Sequence, residues 1–274
     1  MPSTILVASD LSIRSERALR RAFRLAEAHG AALTVLSVVD EDLPERVATG
    51  LAAEAREELG TLAASISDHA VEIRVELGEP VRNIAAAAAD TAADLVVLGV
   101  HRPRPFWDTF TGTTMERIVR AVPMPVLLAA DAVDHDYRTL LAGIDLSPAC
   151  AAAIVAGADL APQAKIETFH AFHVPFRGFI APDGSAEAVA PFRKEAVRDL
   201  DTWWDSADLP AAAAKPVPED DSPTRLLVRK LAEVEPDLLL IGAHGRPALA
   251  PMVLGSFTET LLRDPPCDIL VARR

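Results

Sequence analysis

Residues 237–256 read DLLLIGAHGRPALAPMVLGS. An apolar, strand-like run enters Gly242 and Gly245, and Gly255–Ser256 then opens a helix-like stretch. The same order stands earlier in the chain. DLVVLGVHRPRP (94–105) matches DLLLIGAHGRPA (237–248), and GTTMERIVRAVPMPVLLA (112–129) matches GSFTETLLRDPPCDILVA (255–272), both at a spacing of 143 residues. Nearer the N-terminus, ILVASDLS (5–12) matches LLAGIDLS (140–147) at a spacing of 135, so the second copy gains eight residues in its middle. Self-similarity at this scale means one architecture written twice. The boundary falls in the charged stretch DAVDHDYR (131–138), which gives domains 1–133 and 134–274.

Each copy alternates strand-like and helix-like periods. In the first, TILVAS is a strand ending before Asp10, and Ala18, Leu19, Ala22, Leu25 and Ala26 fall at helical spacing until Gly30 stops the helix. ALTVLSVV, VEIRVEL, DLVVLGV and PVLLAA read as further strands, with helices over 44–66, from Pro80, and over GTTMERIVRAV. Continuous apolar strands in this alternation imply a parallel sheet covered on both faces. The second copy follows suit, with a helix over 187–207, except that its third strand, PAAAAKPVPE, carries Pro216 and Pro218 and reads as an edge or irregular segment. The fold class is α/β, doubly wound and Rossmann-like, twice in tandem.

The chain has 274 residues, half of them hydrophobic, and a net charge of −13. That acidity argues against a nucleic-acid or anionic-membrane footprint. No apolar run approaches the roughly 20 residues of a membrane span, and MPSTILVASDLS lacks the basic start of a signal peptide. Cys150 and Cys267 supply neither a disulfide framework nor metal spacing and read as small core fillers. Cytoplasm is the default compartment.

In doubly wound sheets, ligands sit beyond the carboxyl ends of the strands where strand order reverses. Three sets of residues should collect there in the second copy: Asp145, Gly242 to Gly245 with His244 between them, and Gly255–Ser256. Bare glycines admit backbone N–H groups to an oxyanion, and a helix N-terminus adds unpaired amides and its dipole. The Ser256 hydroxyl can donate one more bond. There is no G-x-x-x-x-G-K-[ST] and no G-x-G-x-x-G after the first strand, and LGSFT is not G-x-S-x-G, so P-loop, dinucleotide and hydrolase-elbow readings fall away. Gly-x2-Gly-x9-Gly-Ser between the fourth strand and last helix suits a phosphate chain.

On this glycine motif, the strand-end D-L-S and the repeated five strands, the sequence resembles the universal stress protein family in its tandem two-domain form, over nearly the whole chain. The resemblance implies five-stranded parallel sheets of order 3-2-1-4-5 and an ATP site in which the strand-one aspartate lies beside the nucleotide. A backbone at the end of strand two would meet adenine, and the glycine motif would hold ribose and phosphates. Carried over, it assigns Asp145, Ala171 (preceded by His170), Gly242, Gly245, Gly255 and Ser256 in the second copy. It also implies that the two last strands pair antiparallel, so that the chain is an intramolecular pseudo-dimer, with a homodimer of whole chains as a further option.

The first copy offers Asp10, Val38, Gly99, Gly112 and Thr113, but Arg102 stands at the second-glycine position. If that position needs φ > 0, a side chain there costs roughly 1–2 kcal/mol. The opposite reading lets Arg102 and Arg104 aim charge at an anion. For Asp10 and Asp145, helix capping beside Ser12 and Ser147 competes with ligand contact. His170 and His173, three apart on a strand, are expected on opposite faces, which disfavours a metal pair. Trp203 and Trp204 are expected to pack within their helix.

The function read from the residues and the resemblance together is a cytoplasmic, ATP-binding stress-response module with its ligand mainly in the second copy. No general base or metal cluster is apparent, so catalytic and metal residues are read as none, and Mg²⁺ would arrive with the phosphates. The alternatives are a slow ATP hydrolase using Asp145 and a nucleotide-free interaction scaffold.

Overall fold

The computed structural model describes residues 1–100, 114–180, 185–243 and 254–273. Two compact units emerge: Met1–Asp136 together with Glu259–Ala272, and a second built on Tyr137–Thr258. The last strand of the second repeat therefore belongs to the first unit.

The first unit runs β1 (Thr4–Ala8), α1 (Ile13–His29), β2 (Ala32–Val39), α2 (Glu45–Ile66), β3 (Val71–Leu77), α3 (Pro80–Asp90), β4 (Leu95–Gly99), α4 (Thr114–Ala121) and β5 (Val126–Ala129). Local chemistry sets these bounds. The Ser12 side chain accepts the Ser15 amide to start α1, and Gly30 ends it at φ 63°, its amide donating to the Ala26 and Glu27 carbonyls. A left-handed residue there is the ordinary use of glycine after a helix. The buried stripe Ala18, Leu19, Ala22, Phe23 and Ala26 lays α1 on the sheet.

Strand order in this unit is β3-β2-β1-β4-β5, all parallel, followed by β11 (Asp268–Ala272) antiparallel to β5. The β5–β11 register pairs Leu128 with Ile269, Leu127 with Leu270 and Val126 with Val271. Every residue of β5 and β11 is buried.

Into this apolar layer the chain places one charged pair. Arg21 of α1 and Asp268 of β11 are 4 % and 0 % exposed and meet at Nε–Oδ2 3.1 Å. Asp268 Oδ1 also accepts the Ala130 and Asp131 amides at 2.7 and 3.0 Å, while Arg21 donates to the His135 carbonyl at 3.0 Å. Every charge in the cluster is thus hydrogen-bonded, as burial demands. Two further pairs are reciprocal: Arg120 meets Glu259 at 2.8 Å, and Arg263 meets buried Glu116 at 2.9 Å.

The second unit runs β6 (Thr139–Gly143), α5 (Pro148–Leu160), β7 (Lys165–Phe169), β8 (Ala171–Phe172), α6 (Arg177–Ile180), α7 (Ala186–Ser206), β9 (Glu219–Asp220), α8 (Pro223–Val234) and β10 (Leu238–Gly242). The helix α9 (Ser256–Arg263) starts within it. Its order is β10-β6-β7, parallel. The strand expected around PAAAAKPVPE is not continuous. Ala213 makes one bridge to Ile166, and only Glu219–Asp220 pair, with β8. Pro216 and Pro218 bring no N–H to a ladder and the alanines little side chain to pack, so the segment stays irregular.

One carboxylate in each repeat ties the first strand to the fourth. Asp94 accepts the Ser3 and Thr4 amides and the Ser3 hydroxyl; Asp237, at the equivalent position, accepts the Arg138 and Thr139 amides at 2.7 and 2.9 Å. No helix among the described residues is long and apolar enough to cross a membrane.

Candidate functional site

The D-L-S motif forms the same turn in both repeats. Asp145 Oδ1 accepts the Ser147 amide at 2.9 Å, and the Ser147 hydroxyl accepts the Cys150 amide at 3.1 Å to cap α5. Asp10 and Ser12 repeat this at the head of α1. The serines are therefore the helix caps, and each aspartate braces the turn one step earlier. Between them, Leu11 and Leu146 sit at φ 60° and 63°. A bulky side chain in that region costs on the order of 1–3 kcal/mol and persists only where its surroundings over-determine it. The two aspartate bonds and the two caps do that here. At Asp10, burial pushes the carboxyl up, but the Ser12 and Ser15 hydrogen bonds outweigh it and the carboxyl lies below its ordinary value.

The glycines divide into two kinds. A Cβ on Gly242 would lie 2.8 Å from the Cys150 backbone nitrogen, and one on Gly99 would lie 2.7 Å from the Arg14 carbonyl oxygen. Both are bare because the fourth strand of each repeat runs hard against the first helix. Helix–strand contact is thus by itself a reason for glycine at Gly242, which also lines the cavity of the second unit. Gly255 differs, since a Cβ there would find only Thr258 Oγ1, at 4.0 Å. Its amide donates to the Ala243 carbonyl at 3.1 Å, and Thr258 Oγ1 donates to the Gly242 carbonyl at 3.0 Å, stitching the start of α9 to the end of β10.

A cavity of about 610 Å³ opens at the carboxyl ends of β6, β7 and β10. It brings together Asp145, Ala171, Gly242, Gly255 and Ser256, five of the residues expected from sequence, with His170 beside them. His244 and Gly245 lie outside the described residues, as do His101, Arg102, Gly112 and Thr113 of the first repeat. Gly99 ends β4, Val38 is the last residue but one of β2, and Asp10 follows the end of β1 by two residues, so the topology brings them to one edge of the first unit's sheet.

His170 is 8 % exposed and its Nδ1–H donates to the Ile144 carbonyl at 2.8 Å, which fixes the tautomer. The strand breaks between β7 and β8, and His170, buried, and His173, exposed, both belong to the cavity lining. No group of three or more His, Cys, Asp or Glu among the described residues could hold a metal ion. Cys150 is buried, and desolvation together with the Asp145 charge pushes its thiol up to about 12. Trp203 and Trp204 meet edge-on with ring centroids 6.3 Å apart, half-buried on α7.

The far wall was missed by sequence reasoning. Phe192, Glu195, Ala196 and Asp199 of α7 line it, together with Phe169 and Phe172. These four residues stand at i, i+3, i+4 and i+7, so one helix stripe carries them all. The helix was legible, but nothing local said that this face would meet β8, where Phe172, Val174, Val189 and Ala196 form a buried cluster.

The profile of the Universal stress protein family matches residues 1–130 and again 136–273. The chain belongs to that family. A universal stress protein of Mycobacterium tuberculosis is 30 % identical over 195 residues, and that match spans 66 % of this chain and 62 % of the relative's length. The crystal structure of a universal stress protein from Archaeoglobus fulgidus superposes over 99 % of this chain and 98 % of that one, with a TM-score of 0.72 at 16 % identity. A putative universal stress protein from Pseudomonas aeruginosa UCBPP-PA14 covers 99 % and 93 %, with a TM-score of 0.64 at 20 % identity. At those identities the superpositions establish a shared fold. Like them, this universal stress protein is a doubly wound α/β chain, and its family segments come in tandem.

Proposed function

We propose that this universal stress protein binds an adenine nucleotide, ATP, in the cavity of its second unit and acts in the cytoplasm as a stress-response binding module. The observation that carries this reading is the cavity itself. Its volume of about 610 Å³ lies within the roughly 300–1,000 Å³ of small-molecule sites, and it opens at strand carboxyl ends beside a helix N-terminus. The half-open space around Gly255, with Ser256 as first residue of α9, suits phosphate oxygens. Ala171 and His170 stand at the end of the second strand, where a base edge can meet backbone groups. Mg²⁺ would be held by the phosphates, and Asp145, Glu195 and Asp199 are carboxylates of the cavity lining.

In this reading the repeat domains are 1–133 and 134–274, they form a pseudo-dimer within one chain, and the second carries the ligand because the first has Arg102 where Gly245 stands. The bound state, rather than turnover, would be read by partners. Native mass spectrometry of freshly purified protein and calorimetry with ATP test it together: one adenine nucleotide per chain is expected. Gly245→Arg, which grafts the first repeat's residue onto the second, is expected to remove most binding. Unchanged affinity in that variant ends the assignment.

A further inference from the structure

The contacts between β5 and β11 are nearly blind to which repeat supplies which strand. Exchanging each residue for its counterpart in the other repeat maps the ladder onto itself: Leu128–Ile269 becomes Val271–Val126, and Leu127–Leu270 is its own image. The Arg120–Glu259 and Arg263–Glu116 pairs exchange in the same way. Backbone pairing and these ion pairs would therefore serve two copies of the first repeat, or two of the second, as well as they serve one of each. Such self-complementary contacts are what a two-fold dimer uses.

Arg21–Asp268 breaks the equivalence. The counterpart of Arg21 on α5 is Ala156, and the counterpart of Asp268 is Pro125. Pairing two first repeats would set Pro125 against Arg21 in place of the buried Asp268 carboxylate that it meets here. Pairing two second repeats would bury Asp268 against Ala156 with no guanidinium. A buried charge stripped of its partner is among the most unfavourable things a packed interior can hold, whereas the matched pair is close to neutral against apolar substitutes. Such a pair adds little stability but discriminates strongly between partners.

We infer that Arg21 and Asp268 are a pairing-specificity device: the surface formed by α1, β5 and the linker accepts the last strand of a second repeat and rejects that of another first repeat. The device keeps β5 and β11 paired one of each kind, and so guards against exchange of strands between like repeats of different chains.

The experiment uses full-length chains in light and heavy isotope forms, mixed, unfolded and refolded together at high concentration, with mixed-label oligomers counted by native mass spectrometry. Arg21→Met with Asp268→Leu removes the discrimination while leaving the interior packed. It should raise the mixed-label fraction about tenfold or more over the wild type at an equal or higher urea midpoint. Pro125→Asp, at a half-buried position, gives the first repeat its own carboxylate and should raise the fraction as well. If the double variant folds and the mixed-label fraction stays at the wild-type level, the inference is overturned. If the double variant does not fold, a wild-type fraction in Pro125→Asp overturns it.

Discussion

Gly242 and Cys150 approach so closely that a methyl group on the glycine would stand 2.8 Å from the cysteine's backbone nitrogen. Backbone meets backbone there, so neither side can swing away as a flexible side chain would. The same contact recurs in the first repeat between Gly99 and Arg14. Gly242→Ala is therefore expected to destabilise the protein by about 1–3 kcal/mol through overpacking, and Gly99→Ala by a similar amount. Gly255→Ala, with open space around it, should leave the urea midpoint nearly unchanged. A tolerated Gly242→Ala would mean that this contact does not dictate the glycine.

Removing one partner of the buried Arg21–Asp268 pair has a larger expected cost. Asp268→Ala or Arg21→Ala should each lose about 3–5 kcal/mol by urea denaturation, because the remaining charge stays buried. Asp268→Ala also strands the Ala130 and Asp131 amides. The double replacement Arg21→Met, Asp268→Leu should recover that loss, with a urea midpoint equal to or above that of the wild type. Additive losses in the double variant would mean that the two side chains are not coupled and that no stranded charge underlies the single losses.

The Ser3 hydroxyl and amide, with the Thr4 amide, hold the Asp94 carboxyl below its ordinary value. A depressed native value means that the unfolded state binds the proton more readily. The stabilisation is complete well above the unfolded value of about 3.9 and is lost as pH falls through the lower native value. Asp94→Asn should lower stability by about 1 kcal/mol at neutral pH, an exposed site being discounted for solvent. The gap to wild type should narrow as pH falls below the unfolded value and through the lower native one. A gap that does not change with pH would mean the charge is irrelevant there.

Cys150 and Cys267 are both buried, and the Cys150 thiol is pushed up to about 12. Since the thiolate is the reactive form, the native protein should resist thiol-directed reagents at pH 8 and react fully only when unfolded. Rapid native labelling of Cys150, located by peptide mapping, would contradict the burial.

ATP turnover, if any is seen, should fall far below the ordinary centre of about 10 per second. In-line hydrolysis needs an oriented water and charge stabilisation that grows in the transition state. A helix N-terminus binds phosphate oxygens in the ground state as well, and uniform binding does not raise the rate. A single-turnover assay with γ-labelled ATP decides the matter. Release within seconds that disappears in Asp145→Asn, at retained affinity, would make this an enzyme.

Much of this architecture is local and therefore readable. Gly30 closes α1, Ser12 and Ser147 cap their helices, and the apolar runs of β1, β4, β6 and β10 announce strands buried on both faces. The repeat supplied the rest, since a pattern seen twice at one spacing leaves few topologies open. That Asp145, Gly242, Gly255 and Ser256 would lie together was legible because doubly wound sheets send strand ends to one edge, and Ala171 beside them was implied by the family resemblance.

By itself, then, the sequence determined the elements, their alternation, the tandem repeat and the near wall of the cavity, because periodicity, caps and turn chemistry act over a few residues. Tertiary structure alone decided the rest. Gly242 is bare for the sake of Cys150, the Phe192–Asp199 stripe of α7 faces the cavity, and Arg21 meets Asp268 across 247 positions. Each of these is a contact between segments far apart in the chain, and the worth of a side chain there depends on the neighbour that folding brings to it.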